Sequence, residues 1–250
     1  MSPSDGGRAE GEPRFTLFGM SSPNVHKVAI MLHELGLPYR FRYVRLTAEE
    51  QFTPDFLAMN PLGKVPVLVD EAPRSGESQT VFESGAILFY LAEREGRFLP
   101  EAGPERTEVM KWLMVQMANV GPIFGQLTHF LRFAPDGNDY SKSRFYTFAG
   151  RIYDMLDRRL SEQAYLAGDT YSIADIATYP WVSLYHETHG MSWDDHPHLR
   201  VWCDELGARP AVKIADELYH ARMRDEPARE PGANEQGVAR VFGWGEFARP

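Results

Sequence analysis

A short polar segment between an apolar run and a helical pattern is the first place where this chain could do chemistry. Residues 21–27 read Ser-Ser-Pro-Asn-Val-His-Lys and follow the mostly apolar run 15–18. Ser22 and Pro23 suit the N-cap and first position of a helix. Free N–H groups and the positive dipole end of such a helix attract anions. The segment predicts either a plain capped helix start or an anion-binding loop with hydroxyl and amide groups.

Two further segments place polar groups at element ends. Residues 60–70 read NPLGKVPVLVD, in which Pro66 suits the first position of a strand or a cis bond at a turn. Residues 81–87 read VFESGAI and put Glu83 and Ser84 in the first turn of another helix, where free N–H groups can hold a carboxylate. Ligands of open α/β sheets bind at such carboxyl ends of strands. The three segments together favour a binding crevice.

The pattern around these segments alternates strands and helices and then becomes purely helical. Strands are predicted at 15–18, 39–44, 67–69 and 80–82, with helices at 23–35, 54–59 and 83–94. After Pro104 the apolar spacing predicts helices at 105–120, 140–160, 172–186 and 197–206. Ser172 and Asp175 have the spacing of a capping box, with Asp in place of Glu. We therefore expect an α/β unit followed by an all-α unit.

Composition excludes several classes of function. The chain has 250 residues with 43% hydrophobic content, which supports a sizeable core, and a net charge of -9, which argues against a nucleic-acid partner. No apolar run approaches the length of a membrane span, and the first 13 residues lack a signal pattern. The single cysteine, Cys203, allows neither a disulfide framework nor a Cys-x-x-Cys pair. We expect no membrane association, no metal site and a cytoplasmic location.

The order and spacing of the motifs carry a family resemblance. The pieces SSPN, KVPVLVD and ESGAILFYLAE, followed by GPIFGQ and YSIADIA, resemble the cytosolic glutathione transferases. The set is similar to the nu class of bacterial enzymes and to the transferase-like domain of the yeast nitrogen-regulatory prion protein. The resemblance implies a thioredoxin-like α/β domain at 14–97 and an all-α domain at 105–222. A disordered lead-in at 1–13 and an extended C-terminal tail at 223–250 complete the expected organisation.

The resemblance also implies glutathione as co-substrate and assigns its binding groups. Glu83 and Ser84 would take the γ-glutamyl end, and the backbone of Val65, before the cis-proline Pro66, would pair with the cysteinyl unit. Two side chains, Lys64 and Gln51, would bind the glycine end. Taken singly, Lys64 could be a solvated loop lysine and Gln51 a polar residue that precedes a helix.

The reacting group would be the glutathione thiolate, because a thiol with a pKa near 8.5 must lose its proton to attack. Donors to the charged form lower that pKa. The first loop holds no Tyr and no Cys, and nu-like members carry Thr-Pro-Asn where this chain has Ser22-Pro23-Asn24. The resemblance therefore implies Ser22 and Asn24 as the donors, with Ser21 as the alternative. Arg144 matches an arginine that is implicated in disulfide turnover in nu-like members. The alternative is a plain arginine on the surface of a helix.

The remaining aromatic residues and cysteine are assigned more simply. Four aromatic residues could line an apolar acceptor pocket, although aromatic residues at helical spacing more often lie in a core: Trp112, Phe124, Phe130 and Phe133. Trp181 and Trp202 are assigned to the core, and Cys203 is expected to be inert.

Two functions follow as expectations. The first is a glutathione-dependent enzyme, either a glutathione-disulfide oxidoreductase or a transferase or lyase acting on small hydrophobic electrophiles. The second is a non-catalytic regulatory or ligand-binding protein that keeps the fold. Retention of Asn24, Glu83, Ser84 and the Val65-Pro66 step favours the enzyme. The family resemblance also implies a homodimer.

Overall fold

A four-stranded mixed sheet forms the first half of the protein. The computed structural model describes residues 13–72 and 76–229, together with Ala239 and Val241. The strands are β1 (Phe15–Gly19), β2 (Tyr39–Tyr43), β3 (Val67–Asp70) and β4 (Gln79–Phe82), in the order β2-β1-β3-β4. β1 pairs parallel with β2 and antiparallel with β3, which pairs antiparallel with β4. This is the predicted thioredoxin-like layout.

The alternation of apolar side chains along β1 explains why helices cover both faces of the sheet. Phe15 and Leu17 are buried in the main core, whereas Phe18 packs on the opposite face against a small cluster that includes Val67 and Phe56. Helices α1 (Pro23–Glu34) and α3 (Ser84–Glu95) contribute to the main core, and the short α2 (Pro54–Met59) covers the other face. Two 3-10 turns, Leu46–Ala48 and Glu50–Phe52, precede α2.

The second half of the described chain is helical, as predicted. Its elements are α4 (Gly103–Val115), a π-helical segment (Gln116–Val120), α5 (Gly121–Arg132), α6 (Asp139–Glu162), α7 (Ile173–Tyr185), α8 (Pro197–Gly207) and α9 (Pro210–Arg229). The Ser172–Asp175 capping box that begins α7 is present as expected. The predicted fold class, an α/β thioredoxin-like domain followed by an all-α domain, is therefore confirmed.

Helix α1 joins the two halves, because it packs against α3, α7 and α9. His26 contacts Asp216 of α9 at 2.6 Å, and Arg209 forms a two-pronged ion pair with Glu34 at 2.5 and 3.0 Å. One continuous core runs from the sheet to α8. The loop that begins α1 therefore lies where the sheet and the helical half meet.

The expected extended tail is wrong over its first seven residues. Helix α9 continues to Arg229, past the predicted boundary at 223. Five of the seven residues at 223–229 favour a helix, although Pro227 does not, and the tail's glycines begin at Gly232. Tertiary contacts also hold this end, since Arg222 stacks on the Phe41 ring at 3.8 Å and Glu226 accepts a hydrogen bond from the Ser21 N–H at 2.8 Å. Most of the remaining tail, and the predicted lead-in except Pro13, lie outside the described residues.

Within the described residues, no helix is both long enough and apolar enough to cross a membrane.

Candidate functional site

A cavity of about 300 Å³ opens where the N-termini of α1 and α3 meet the helical half. Two glycines of α5 keep it open, because a Cβ on Gly121 would come within 3.1 Å of Gln116 and one on Gly125 within 3.4 Å of Trp181. Its lining combines charged, amide and apolar groups: Asn24, Lys27, Glu83, Gln116, Met117, Gly121, Pro122, Gly125, Gln126 and Trp181.

The start of α1 has the capped geometry that the sequence predicts. Ser22 is the N-cap, with extended backbone, and its Oγ accepts from the Val25 N–H at 3.4 Å. The hydroxyl proton of Ser22 is not used by this cap, so capping and donation to a ligand are compatible. Ser21 differs, because its Oγ is buried without a hydrogen-bond partner and its N–H is taken by Glu226.

The side-chain amide of Asn24 is fixed from the helical half. The Trp181 indole Nε1–H donates to Asn24 Oδ1 at 3.1 Å. An indole nitrogen can only donate, so the amide oxygen must face Trp181. The NH₂ group is thereby left as the part of the Asn24 side chain that can donate to a ligand in the cavity. Trp181 lies in the core as expected, but it also lines the cavity, which the core assignment missed.

The start of α3 brings a strained acidic residue and a buried hydroxyl to the same cavity. Glu83 has φ of +70°, unusual for a residue with a Cβ, and its exposed side chain makes no capping bond. Its carboxylate is available to an ammonium group. Ser84 is buried, and its Oγ accepts from Lys27 Nζ at 3.3 Å and donates to the Met117 thioether at 3.9 Å.

Lys27 and Gln116 are site residues that our sequence analysis did not single out. Lys27 is 1% exposed, and its ammonium donates to Gln116 Oε1 at 2.7 Å. Burial lowers the pKa of Lys27 to about 7, and the negative charge of Glu83 partly offsets this by raising it. The signal was present for Lys27, since it stands directly before the apolar run Val28–Leu32 on the buried side of α1. Gln116 gives no comparable local signal.

The segment before β3 contributes less to this cavity than the resemblance implies. The Val65-Pro66 bond is cis, as expected. Lys64 is exposed, and its carbonyl oxygen accepts from Asn60 Nδ2 at 2.8 Å. Gln51 is 3% exposed, donates to the Leu46 carbonyl at 3.2 Å and leaves its Oε1 buried without a partner. None of these residues lines the cavity that holds Asn24.

Arg144 lies apart from this cavity. It is exposed on α6, stacks on Phe148 at 4.8 Å and lines a separate cavity of about 260 Å³. The structure therefore does not bring Arg144 together with Asn24 within one chain.

Of the two alternatives for the four aromatic residues, pocket wall or core, the structure assigns Phe124 to the core. Phe124 is fully buried and stacks on Tyr153 at 4.3 Å, because it lies on the core face of α5. Phe130 stacks on Phe145 at 5.4 Å, and Trp112 donates to Glu108 at 3.0 Å. None of the four predicted aromatic residues lines the cavity beside Asn24.

Comparison with known families identifies the class to which this fold and site belong. The model of the glutathione S-transferase N-terminal domain matches residues 13–93, and that of the C-terminal domain matches residues 146–210. The chain belongs to the glutathione S-transferase family.

One curated relative and two solved structures show which members of the family this chain resembles. The disulfide-bond oxidoreductase YfcG of Escherichia coli (strain K12) is 38% identical over 211 residues, covering 84% of this chain and 97% of the relative. A glutathione transferase family member from Pseudomonas fluorescens Pf-5, solved with two glutathione bound, superposes with a TM-score of 0.77 at 35% identity, covering 83% of this chain and 94% of that one. The glutathione transferase URE2P8 from Phanerochaete chrysosporium, solved with oxidized glutathione, superposes with a TM-score of 0.79 at 28% identity. The match covers 86% of this chain and 99% of that one.

Proposed function

We propose that this protein is a glutathione-dependent enzyme that binds glutathione between the starts of α1 and α3 and uses its thiolate as the nucleophile. The observation that carries the proposal is the hydrogen bond from Trp181 to Asn24, which occupies the amide oxygen and leaves the NH₂ of Asn24 as the donor for a ligand. Membership of the family and the glutathione-bound structures of its relatives support the same ligand.

The groups around the cavity suit the parts of glutathione. The γ-glutamyl ammonium would meet the exposed carboxylate of Glu83, and the neighbouring carboxylate would meet Ser84 and the N-terminus of α3. The backbone of Val65, before the cis peptide bond, would pair with the cysteinyl unit. Lys64 is exposed and would meet the glycine carboxylate, together with Gln51.

The reaction that we favour is thiol–disulfide exchange. The glutathione thiolate attacks one sulfur of a disulfide, forms a new S–S bond and expels the other sulfur as a thiolate, which then takes up a proton. Asn24 and Ser22 would stabilise the attacking thiolate by donating to it. Cys203 is buried and burial raises its pKa well above the usual range, so the protein's own thiol is a poor nucleophile. The relationship to YfcG supports this reaction over attack on a small hydrophobic electrophile.

Several finer assignments belong to the same proposal. Arg144 would hold a carboxylate of a second glutathione or of glutathione disulfide, a role supported by the relative with two glutathione bound. We also propose a nu-class homodimer that works in the cytoplasm, and light scattering at micromolar concentration would test the dimer. A detoxifying role against electrophiles is the weaker alternative within this proposal.

The deciding experiment combines calorimetry with a disulfide-exchange assay. We expect the unmodified protein to bind glutathione, and Asn24→Ala to reduce kcat about tenfold or more while glutathione affinity changes little. Asn138→Ala, in the loop before α6, is the matched control and should leave both quantities unchanged.

Two results would contradict the proposal. Absence of glutathione binding by the unmodified protein would remove the whole function. Loss of exchange activity in a folded Cys203→Ser variant would show that the protein's own thiol reacts. Binding without turnover of disulfides or electrophiles would instead favour the non-catalytic alternative.

A further inference from the structure

We propose that Lys27 is the buried positive charge that holds the carboxylate of the γ-glutamyl unit of glutathione, acting through the hydroxyl of Ser84. The inference rests on the proposed function and adds to it a positioning residue in α1, on the inner wall of the cavity. It also predicts that ligand binding is coupled to proton uptake.

The partners of Lys27 are the first argument. Its ammonium donates to an amide oxygen of Gln116 at 2.7 Å, to the Ser84 hydroxyl at 3.3 Å and lies 3.9 Å from the Met117 sulfur. All three partners are neutral. A fully buried ammonium is costly unless an anion compensates it. Among the described residues, Glu83 is the charged group whose field acts on Lys27, and its side chain is exposed at the mouth of the cavity.

The hydrogen-bond directions are the second argument. Because Lys27 donates to Ser84 Oγ, the Ser84 proton must point elsewhere, and its acceptor is the Met117 thioether at 3.9 Å. A thioether is a weak acceptor, so a ligand carboxylate would be preferred. A cation that donates to a hydroxyl also polarises it and strengthens the bond that the hydroxyl donates. Lys27 therefore prepares Ser84 to donate to an anion.

The position of Gln116 is the third argument. It is 0% exposed, it belongs to the π-helical segment, and its Nε2 is buried without a hydrogen-bond partner. The amide oxygen is held on Lys27, so the two N–H donors are directed away from the ammonium. π-Helical segments occur often at functional sites. Lys27 thus orders donors of two helices, α3 and the π-helical segment, around one cavity.

The charge state of Lys27 makes the inference measurable. Burial lowers its pKa to about 7, so both the ammonium and the neutral amine occur in the free protein near neutral pH. Binding of an anion beside Ser84 would raise that pKa and draw a proton from solution. Lys27 and Glu83 are the titratable residues that line the cavity.

The experiment measures proton uptake by calorimetry at pH 7 in buffers of different ionisation enthalpy. The probe is S-methylglutathione, which keeps the γ-glutamyl end but has no thiol proton to release. We expect the unmodified protein to take up a fraction of a proton per site. Lys27→Met should abolish the uptake and weaken binding about tenfold. Lys27→Arg keeps the charge at all accessible pH values, so it should retain binding within a few-fold and show no uptake.

The outcomes separate this inference from the proposed function and from a packing role. Lys111→Met, at an exposed lysine paired with Glu108, is the control and should change neither uptake nor affinity. Binding by the unmodified protein without proton uptake would overturn the inference and leave the proposed function standing, whether or not the variants fold. Uptake that persists in Lys27→Met would also overturn it. Absence of binding to both glutathione and S-methylglutathione would overturn the proposed function and this inference with it.

Discussion

The hydrogen bond between Trp181 and Asn24 shows how one distant side chain can set the chemistry of another. Asn24 belongs to the first turn of α1 and Trp181 to α7, 157 positions later. Without the indole donor, the amide of Asn24 could present either its oxygen or its NH₂ to the cavity. An oxygen facing a thiolate would repel it, whereas the NH₂ stabilises it. The core residue Trp181 therefore acts on the site through orientation.

Trp181→Phe tests this orientation directly. Phenylalanine keeps an aromatic ring in the core but removes the Nε1–H, so we expect kcat for disulfide exchange to fall several-fold while glutathione affinity stays nearly constant. The pH profile of the rate should shift to higher pH, because the pKa of the glutathione thiol is lowered less than in the unmodified protein. Trp193→Phe removes a surface indole donor to Glu187 and should leave the profile unchanged. An unaltered profile in Trp181→Phe would refute the role.

At the element scale, the capping box of α7 is a fully buried hydrogen-bond centre. Asp175 accepts from the Ser172 N–H and Oγ–H at 3.0 Å each, from the Leu166 N–H at 2.9 Å and from the Trp202 indole at 3.1 Å. Burial raises the pKa of Asp175, and these four donors oppose that rise. The carboxylate thus ties α7, the loop before it and α8 together.

Asp175→Ala should be among the most destabilising single changes in the protein. It leaves several buried donors without an acceptor, and we expect a loss of about 3–5 kcal/mol in the free energy of unfolding. Urea unfolding followed by circular dichroism measures it. Asp157→Ala is the comparison, because Asp157 caps α8 from a half-buried position and should cost about 1 kcal/mol. Equal losses would show that burial does not set the cost.

The same elements show how far the sequence predicts the fold. The capping box, the cap at Ser22 and the alternation of β1 are local patterns, and their elements are found within one or two residues of the predicted limits. The end of α9 was mispredicted because its stability depends on contacts with Phe41 and Ser21, more than 180 positions earlier. Propensity alone does not contain such contacts.

The candidate site was predictable only in part, for the same reason. Ser22, Asn24, Glu83 and Ser84 stand at element ends, where sequence patterns are informative. The contact of Lys27 with Gln116 spans 89 positions, so no local pattern predicts it. Aromatic character alone left Phe124 open between a pocket wall and the core, and its helix face buries it in the core.

At the scale of the whole molecule, the helical half contains a buried histidine network that should make stability depend on pH. His186 and His189 are buried, and burial together with a neighbouring histidine lowers the pKa of each to about 4. His189 is bonded to Thr128 at 2.8 Å and to Tyr153 at 2.9 Å. These contacts, as well as the 3.0 Å contact between His186 and His196, suit neutral rings.

These histidines take up a proton near pH 6.5 in the unfolded chain, but only near pH 4 in the folded protein. The unfolded state therefore binds more protons in this window. As the pH is lowered, the free energy of unfolding should decrease by about 1.4 kcal/mol per pH unit for each histidine. Lys27, with a folded pKa of about 7, adds to the slope around neutral pH but is protonated in both states below about pH 6. Urea titrations at pH 7.5 give the reference stability, and those at pH 6.0, 5.5 and 5.0 measure the slope that the histidines cause. His189→Gln should lower stability at pH 7.5 but flatten the dependence, whereas His220→Asn, at an exposed position, should leave the slope as it is. A slope that survives in His189→Gln and in His186→Gln would locate the pH dependence elsewhere in the molecule.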